Sequence, residues 1–401
     1  GTGTDRTFSG TAADLNAFFT TAGNITYQGA AHVNGSRTLT VTVDDGSNAN
    51  NIATATSTIN ITAVNDKPQV IVGRSTVSLA PVTEDATNPA GATVGNLFGP
   101  SFTDGLDAVP NGSSANVFAG IGITQVASTA SQGTWQYSAD GTTGWTDIPV
   151  TGPDVPSATN VHYFQASTYL RFKPAADFNG TPGAITAYLI EENNSSLTRF
   201  TTVNHDYFSA TPVTLTTSVT AANDAPTVVQ GKEIVSLAAV TEDATNPAGE
   251  TVTNLLGASF SDAADQVNGG SSSNALKGIA ITANAATAAQ GKWEYQLSGG
   301  AWTAVPTSGL SDSTALFMAA SSKLRFVPAA NFNGQPGGLQ IHLIDDSASG
   351  LGNYLYPANF NFGLEGVSGS TATVTLNTSI TAVNDAPTVS APTSFTVNED
   401  V

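Results

Sequence analysis

The 401-residue chain has no cysteine and a single methionine, Met318. Without thiols there is no disulfide staple, no thiolate metal site and no cysteine nucleophile, so extended modules must be held together by other means. Basic residues are nearly as scarce: 12 Lys and Arg stand against 31 Asp and Glu, a formal charge of −19. That balance excludes nucleic-acid binding, which needs basic stripes to displace counterions from phosphates. It equally excludes an anionic membrane surface as partner. No apolar run approaches the roughly 20 residues that span a bilayer, and no targeting segment is visible. Charged residues are only 11% of the chain, so Thr, Ser and Asn supply the polar surface. An acidic, thiol-free, lysine-poor chain suits a calcium-rich exterior.

The chain is repetitive. ITAVNDKP (61–68), VTAANDAP (219–226) and ITAVNDAP (380–387) place Asp66, Asp224 and Asp385 at spacings of 158 and 161 residues. Between them VTEDATNPAG begins at Val82 and again at Val240, QGTWQY at Gln132 answers QGKWEY at Gln290, and LRFKPAADFNG at Leu170 answers LRFVPAANFNG at Leu324. Self-similarity at a fixed long period is the signature of an array of like units. Two full homologous modules are therefore expected over 67–224 and 225–385. Residues 1–66 match the second half of a module, and residues 386–401 the first strand of a further one. That is the pattern of a window cut from a longer array.

Strands dominate the predicted structure. Period-2 runs rich in Thr, Val and Ile occur at 38–43, 57–63, 211–220 and 371–381, punctuated by Asn-Gly and Asp-Gly turns. One amphipathic helix is predicted over 11–21, with Thr11 as its cap and Leu15, Phe18 and Phe19 on one face. Short strands with regular turn signals imply an all-β fold of tandem antiparallel β-sandwich modules forming an elongated rod.

The segments VNDKP, ANDAP and VNDAP resemble the interdomain linker of cadherin repeats. With TED or NED opening each following module, the chain is similar to the cadherin-like and Ig-like tandem repeats of giant bacterial surface adhesins. The resemblance implies Ig-like sandwiches whose junctions are stiffened by Ca2+. It departs at Ala63, Ala221 and Ala382, where the cadherin linker carries an acid two places before its Asn.

Calcium takes six to eight oxygen ligands at irregular angles, and paired acids recur where the modules meet. The first junction is expected to draw on Asp44, Asp45, Asn65, Asp66, Glu84, Asp85, Asp104 and Asp107. The second would use Glu191, Glu192, Asn223, Asp224, Glu242, Asp243, Asp262 and Asp265, and the third Asp345, Asp346, Asn384, Asp385, Glu399 and Asp400. Asp and Asn also serve turns and strand ends for backbone reasons, and that alternative stays open.

Trp135, Tyr137 and Trp145 recur as Trp293, Tyr295 and Trp302. They are expected to fill or cover a core; the alternative is an aromatic platform for sugar rings. His32, His162, His205 and His342 show no zinc-binding spacing. With no nucleophile elbow or phosphate loop, no enzyme is expected. The reading is a structural and adhesive segment of an extracellular or cell-surface fibre, with neighbouring repeats or copies of itself as partners and surface glycans or other cells as open targets. Alternatives are a carbohydrate-binding array and a filament subunit assembled by strand complementation.

Overall fold

The computed structural model describes residues 5–108, 114–192, 206–266, 273–347, 355–357 and 369–391, together with 393, 394, 396 and 399. Among the described residues two large hydrophobic cores lie along the chain, one built from residues between Leu79 and Val219 and the other between Leu237 and Ile380, with smaller clusters around Ile190 and Ile344 beside them. Each large core is enclosed by two sheets. In the first, Thr146–Asp147, Gly133–Ser138, Tyr169–Pro174 and Ala92–Thr93 form one sheet; His162–Gln165, Phe118–Val126, Ile185–Glu191, Val213–Thr216 and Thr76–Ser78 form the other. The second repeats this with the same order, Trp302–Ala304, Gly291–Gln296, Lys323–Pro328 and Glu250–Thr251 facing a sheet centred on Leu276–Asn284 and Leu339–Asp345. Alternate residues of both sheets point inward: Ile121, Ile123 and Leu189 from one meet Trp135, Leu170 and Phe172 from the other, all fully buried. That interdigitation is a β-sandwich.

The central ladders are antiparallel, as the alternating patterns imply, but the opening strands are not. Thr76–Ser78 runs parallel to Val213–Thr216, and Val82–Thr83 runs parallel to Val219–Thr220. The second sandwich repeats both parallel pairs. First and last strands of a sandwich therefore finish at the same end, whereas Ile185–Glu191, antiparallel to Val213–Thr216, finishes at the other.

Trp135 and Trp293 fix the centre of each core. Their indole N–H groups donate to Gly183 O at 2.9 Å and Gly337 O at 2.8 Å. A Cβ on Gly183 would lie 2.2 Å from the Ala127 backbone, so only glycine allows the approach. Two five-residue helices, Val94–Phe98 and Val252–Leu256, were not legible in the sequence. They are capped by Thr93 and Thr251, bury Val94, Phe98, Val252 and Leu256, and lead through a tight turn to Asp104 and Asp262.

The segment before residue 67 is different. The helix Ala12–Thr20 forms as expected, with Thr11 Oγ1 accepting from the Asp14 N–H at 3.2 Å. Gly35–Asp44 and Ile52–Ile61 pair antiparallel as a two-stranded sheet. Yet no described residue before Pro68 is buried, and Phe8, Ile25, Tyr27, Val43 and Ile52 are exposed. Among the described residues the expected strands thus form without a facing sheet.

Candidate metal centres between the sandwiches

The linkers carry the polar geometry. At the first, the Asp66 N–H donates to Asp107 Oδ2 at 3.1 Å, and Asn65 Nδ2 donates to Glu191 Oε1 at 2.6 Å. Asn116 closes the group: its N–H donates to Asp104 Oδ2 at 2.5 Å and its amide to Asn65 Oδ1 at 2.9 Å. Asp66 Oδ2 lies 2.8 Å from His32 Nδ1, the contact with the preceding segment. Four carboxylates thus converge, three of them on the downstream sandwich: Glu191, Asp104 and Asp107 are 0%, 5% and 1% exposed.

The second linker repeats the arrangement. The Asp224 N–H points at the Asp265 carboxylate at 3.3 Å, the Asn274 N–H donates to Asp262 Oδ2 at 2.5 Å, and the Asn274 amide donates to Asn223 Oδ1 at 2.6 Å. Asp346 accepts from the Ala275 N–H at 3.0 Å, and Asp345 from the Ser347 N–H at 2.9 Å. The upstream sandwich adds Glu84, which accepts from the Ala222 N–H at 2.5 Å and from Asn179 Nδ2 at 2.7 Å. Ligand atoms of Glu84, Asp224 and Asp265 lie within 4.8 Å of one another.

The distribution of acids differs from that read along the chain. Glu84 and Asp85, expected at the first linker, belong to the second, because the opening strand runs parallel to the last and ends beside it. Glu191, expected at the second linker, sits at the first, because its strand runs the other way. By the same geometry Asp345 and Asp346 serve the second linker rather than the third. Glu242 serves the third, accepting from the Val383 N–H at 2.7 Å and Asn333 Nδ2 at 3.1 Å. Asp104, Asp107, Asp262 and Asp265 occupy the linkers expected of them. Glu192 is exposed and bonds through its N–H to Val117 O at 2.8 Å. Asp44 and Asp45 cap the hairpin turn after Gly35–Asp44, accepting from Gly46 and Ser47 N–H at 2.8 and 2.9 Å. Since Gly35 pairs with Ile61, that turn lies at the far end of the hairpin from Asn65 and Asp66. Asp243, Asn384, Asp385 and Glu399 are exposed. Asp400 lies outside the described residues.

Burial and mutual repulsion leave these acids electrostatically unsatisfied. Burial first, then the charges of Asp104 and Asp107, push Glu191 up to about 7, although Asn65 and Asn116 hydrogen bonds oppose the rise. Burial, then Asp85, Asp177, Asp265 and Glu84, push Asp224 up to about 6. Asp104 and Asp262 are raised chiefly by burial. Glu242, which meets donors without a crowd of acids, is lowered by its bond from Val383. Asp104 Oδ1, Glu191 Oε2, Asp224 Oδ2, Asp262 Oδ1 and Asp345 Oδ2 are buried with no hydrogen-bond partner. A buried anionic oxygen without a donor is costly unless a cation faces it.

Several contributors were missed by sequence reasoning. Asn116 and Asn274 end the matching pentapeptides GSSAN (112–116) and GSSSN (270–274), a repeat that signalled them; Asn179 and Asn333 stand in the repeated FNG. Asp177, with His32 and Asn331 at the equivalent positions, adopts a left-handed backbone at φ 59°, 60° and 62° respectively.

The aromatics serve packing. Trp135 and Trp293 are fully buried, and the Arg171 and Arg325 guanidinium carbons lie 4.0 Å above the Trp145 and Trp302 rings, covering one face of each.

Comparison with known proteins returned no matching family model and no matching curated protein. Among solved structures, human CDH23 EC21-23 is similar at 14% identity and a TM-score of 0.34, over 79% of this chain and 70% of that one. The human Desmocollin-1 ectodomain matches at 13% and 0.27, over 88% of this chain and 48% of that one. Drosophila N-cadherin EC1-4 matches at 10% and 0.21, over 88% and 60%. At these TM-scores the likenesses carry no argument, and the sandwich architecture rests on the ladders and cores described above.

Proposed function

We propose that the chain is a segment of an extracellular adhesive fibre, built from sandwich modules over 67–224 and 225–385, whose junctions are stiffened by calcium. The observation that carries this reading is the set of five buried, partnerless carboxylate oxygens gathered where consecutive units meet. The donor set suits a hard cation: carboxylate and amide oxygens, with neither cysteine nor histidine pairs, and irregular spacing that calcium tolerates better than magnesium. At the first junction Asp66, Asp104, Asp107 and Glu191 would hold the ion, with Asn65 and Asn116 as positioning amides. At the second, Glu84, Asp224, Asp262, Asp265 and Asp345 would do so. Each set joins a linker to its flanking sandwich, and the second adds the upstream one. Binding at the second junction would therefore fix the angle between units, and binding at the first would fix the linker to the downstream sandwich.

A calcium-stiffened array projects an adhesive surface away from a cell, and the scarcity of basic residues fits a partner other than nucleic acid or anionic lipid. No activity is ascribed to the acid groups, since they recur at each junction. The test is melting and limited proteolysis in calcium and in chelator. Binding to the folded state stabilises by mass action, so melting should track free calcium over roughly 10⁻⁴–10⁻³ M, the range of extracellular modules. In chelator the linkers near Asp66 and Asp224 should become cleavable. Identical behaviour in both conditions would overturn the reading.

A further inference from the structure

The same turn reaches each linker from the unit before it. Gly180 and Val219 exchange both backbone hydrogen bonds at 2.8 Å, Gly334 and Ile380 do so at 2.9 and 2.8 Å, and Gly35 pairs with Ile61. Three places before these glycines stand Asp177, Asn331 and His32, each with a left-handed backbone. Asp66 follows Ile61 at the spacing at which Asp224 follows Val219, so the pairing carries this residue to the same place beside each linker aspartate. A left-handed position that is not glycine favours Asn, Asp and His. The backbone therefore selects among three chemistries here: a neutral amide, an anionic ligand and an imidazole nitrogen.

What the residue meets differs between linkers. At the first, Asp66 Oδ2 lies 2.8 Å from His32 Nδ1, with the two side chains 30% and 36% exposed. At the second, Asp224 Oδ2 is buried with no hydrogen-bond partner. Burial, then the charges of Asp85, Asp177, Asp265 and Glu84, hold its carboxyl well above the ordinary value. Asp177 thus adds a negative charge where His32 brings a partner. Ligand atoms of Glu84, Asp224 and Asp265 already lie within 4.8 Å of one another, and the partnerless oxygens of Asp262 and Asp345 are buried at the same linker.

We propose that this left-handed residue decides how a linker is fastened to the unit upstream of it: His32 clasps the linker aspartate directly, whereas Asp177 makes the fastening depend on a divalent cation shared with Asp224. The second half rests on the calcium reading above and adds Asp177 to its ligands. Asp66 keeps Oδ1 for the downstream ion, so the first linker is clasped upstream without metal and bound downstream with it. Asp224 depends on metal on both sides. When calcium falls, the second joint loosens on its upstream side while the first keeps its clasp.

The test exchanges the residue in the full chain, and His32 and Asn331 show that the turn accepts histidine and asparagine. Limited proteolysis near Asp224 is followed in chelator and across a calcium titration, with circular dichroism reporting that each variant is folded. In chelator Asp177→His should be cut about threefold more slowly than Asp177→Asn, which removes the same charge without adding the clasp; that is the effect of one partly exposed pair on the open population. Asp177→Asn should need about tenfold more calcium than the parent for half-protection, having lost a charged ligand. His32→Asn should speed cleavage near Asp66 about threefold in chelator. Equal cleavage of Asp177→His and Asp177→Asn in chelator would overturn the proposal. So would a parent protected by calcium with Asp177→Asn protected at the same concentration. A parent that calcium never protects would instead sink the calcium reading, and the cation half of the proposal with it.

Discussion

Replacing Glu191 by Gln should act in opposite directions with and without calcium. Oε1 accepts from Asn65 and would remain an acceptor in glutamine, while the partnerless Oε2 becomes a neutral NH2. Without metal, the folded protein holds the Glu191 proton up to about 7, against an ordinary value of 4.5. The stability linked to that proton is fully present below pH 4.5 and is lost as pH rises through 7. At pH 8 the ionised carboxylate therefore costs about 2 kcal/mol, after discounting the shift at about 1.4 kcal/mol per unit for solvent screening. In chelator at pH 8 the variant should melt higher than the parent, by about 4–8 °C for a unit of this size. At about pH 3, below both the folded and the unfolded value, both side chains are neutral and the two should melt together. In calcium the order reverses: the variant has lost a charged ligand, and the calcium concentration at half-maximal stabilisation should rise roughly tenfold. Trp135 is buried in the same sandwich and reports the transition by fluorescence. A variant that melts lower than the parent in chelator, or responds to calcium as the parent does, would refute the assignment of Glu191 as an unsatisfied ligand.

Other outcomes follow from the same geometry. Asp224→Ala should loosen the second junction and change the maximum dimension in small-angle scattering, with circular dichroism unchanged; an unfolded variant would mark Asp224 as a turn residue instead. Metal-free chain should lose stability as pH rises through about 6 and 7, the values reached by Asp224 and Glu191, and calcium should flatten that profile. Trp293→Ala should cost about 3–5 kcal/mol and unfold the second sandwich first, read by calorimetry as one lost or lowered transition. Residues 1–66 expressed alone should be unfolded or aggregated, since none of their described residues is buried; a cooperative monomeric transition would contradict that.

The repeats, the strands, the helix at Thr11 and the packing role of Trp135 and Trp293 were legible because each rests on local pattern. The acids themselves were legible too, through their recurrence as pairs. Their grouping was not. Chain order suggests that Glu84 meets Asp66 and that Glu191 meets Asp224, but strand direction carries each to the opposite end of its sandwich. Two short parallel pairings, Val82–Thr83 with Val219–Thr220 and its repeat, decide this, and two-residue strands leave no periodic trace. Asn116 and Asn274 escaped for another reason: their role depends on reaching linker amides 51 residues earlier in the chain. The helix Val94–Phe98 is too short to show a period.

Equilibrium dialysis of the full chain against calcium tests the central claim most directly. The calcium proposal predicts saturable binding near about 10⁻⁴–10⁻³ M, diminished in Glu191→Gln and in Asp262→Asn, and further diminished when both are combined because they sit at separate junctions. Absence of saturable binding at millimolar calcium, or binding untouched by either substitution, would contradict it.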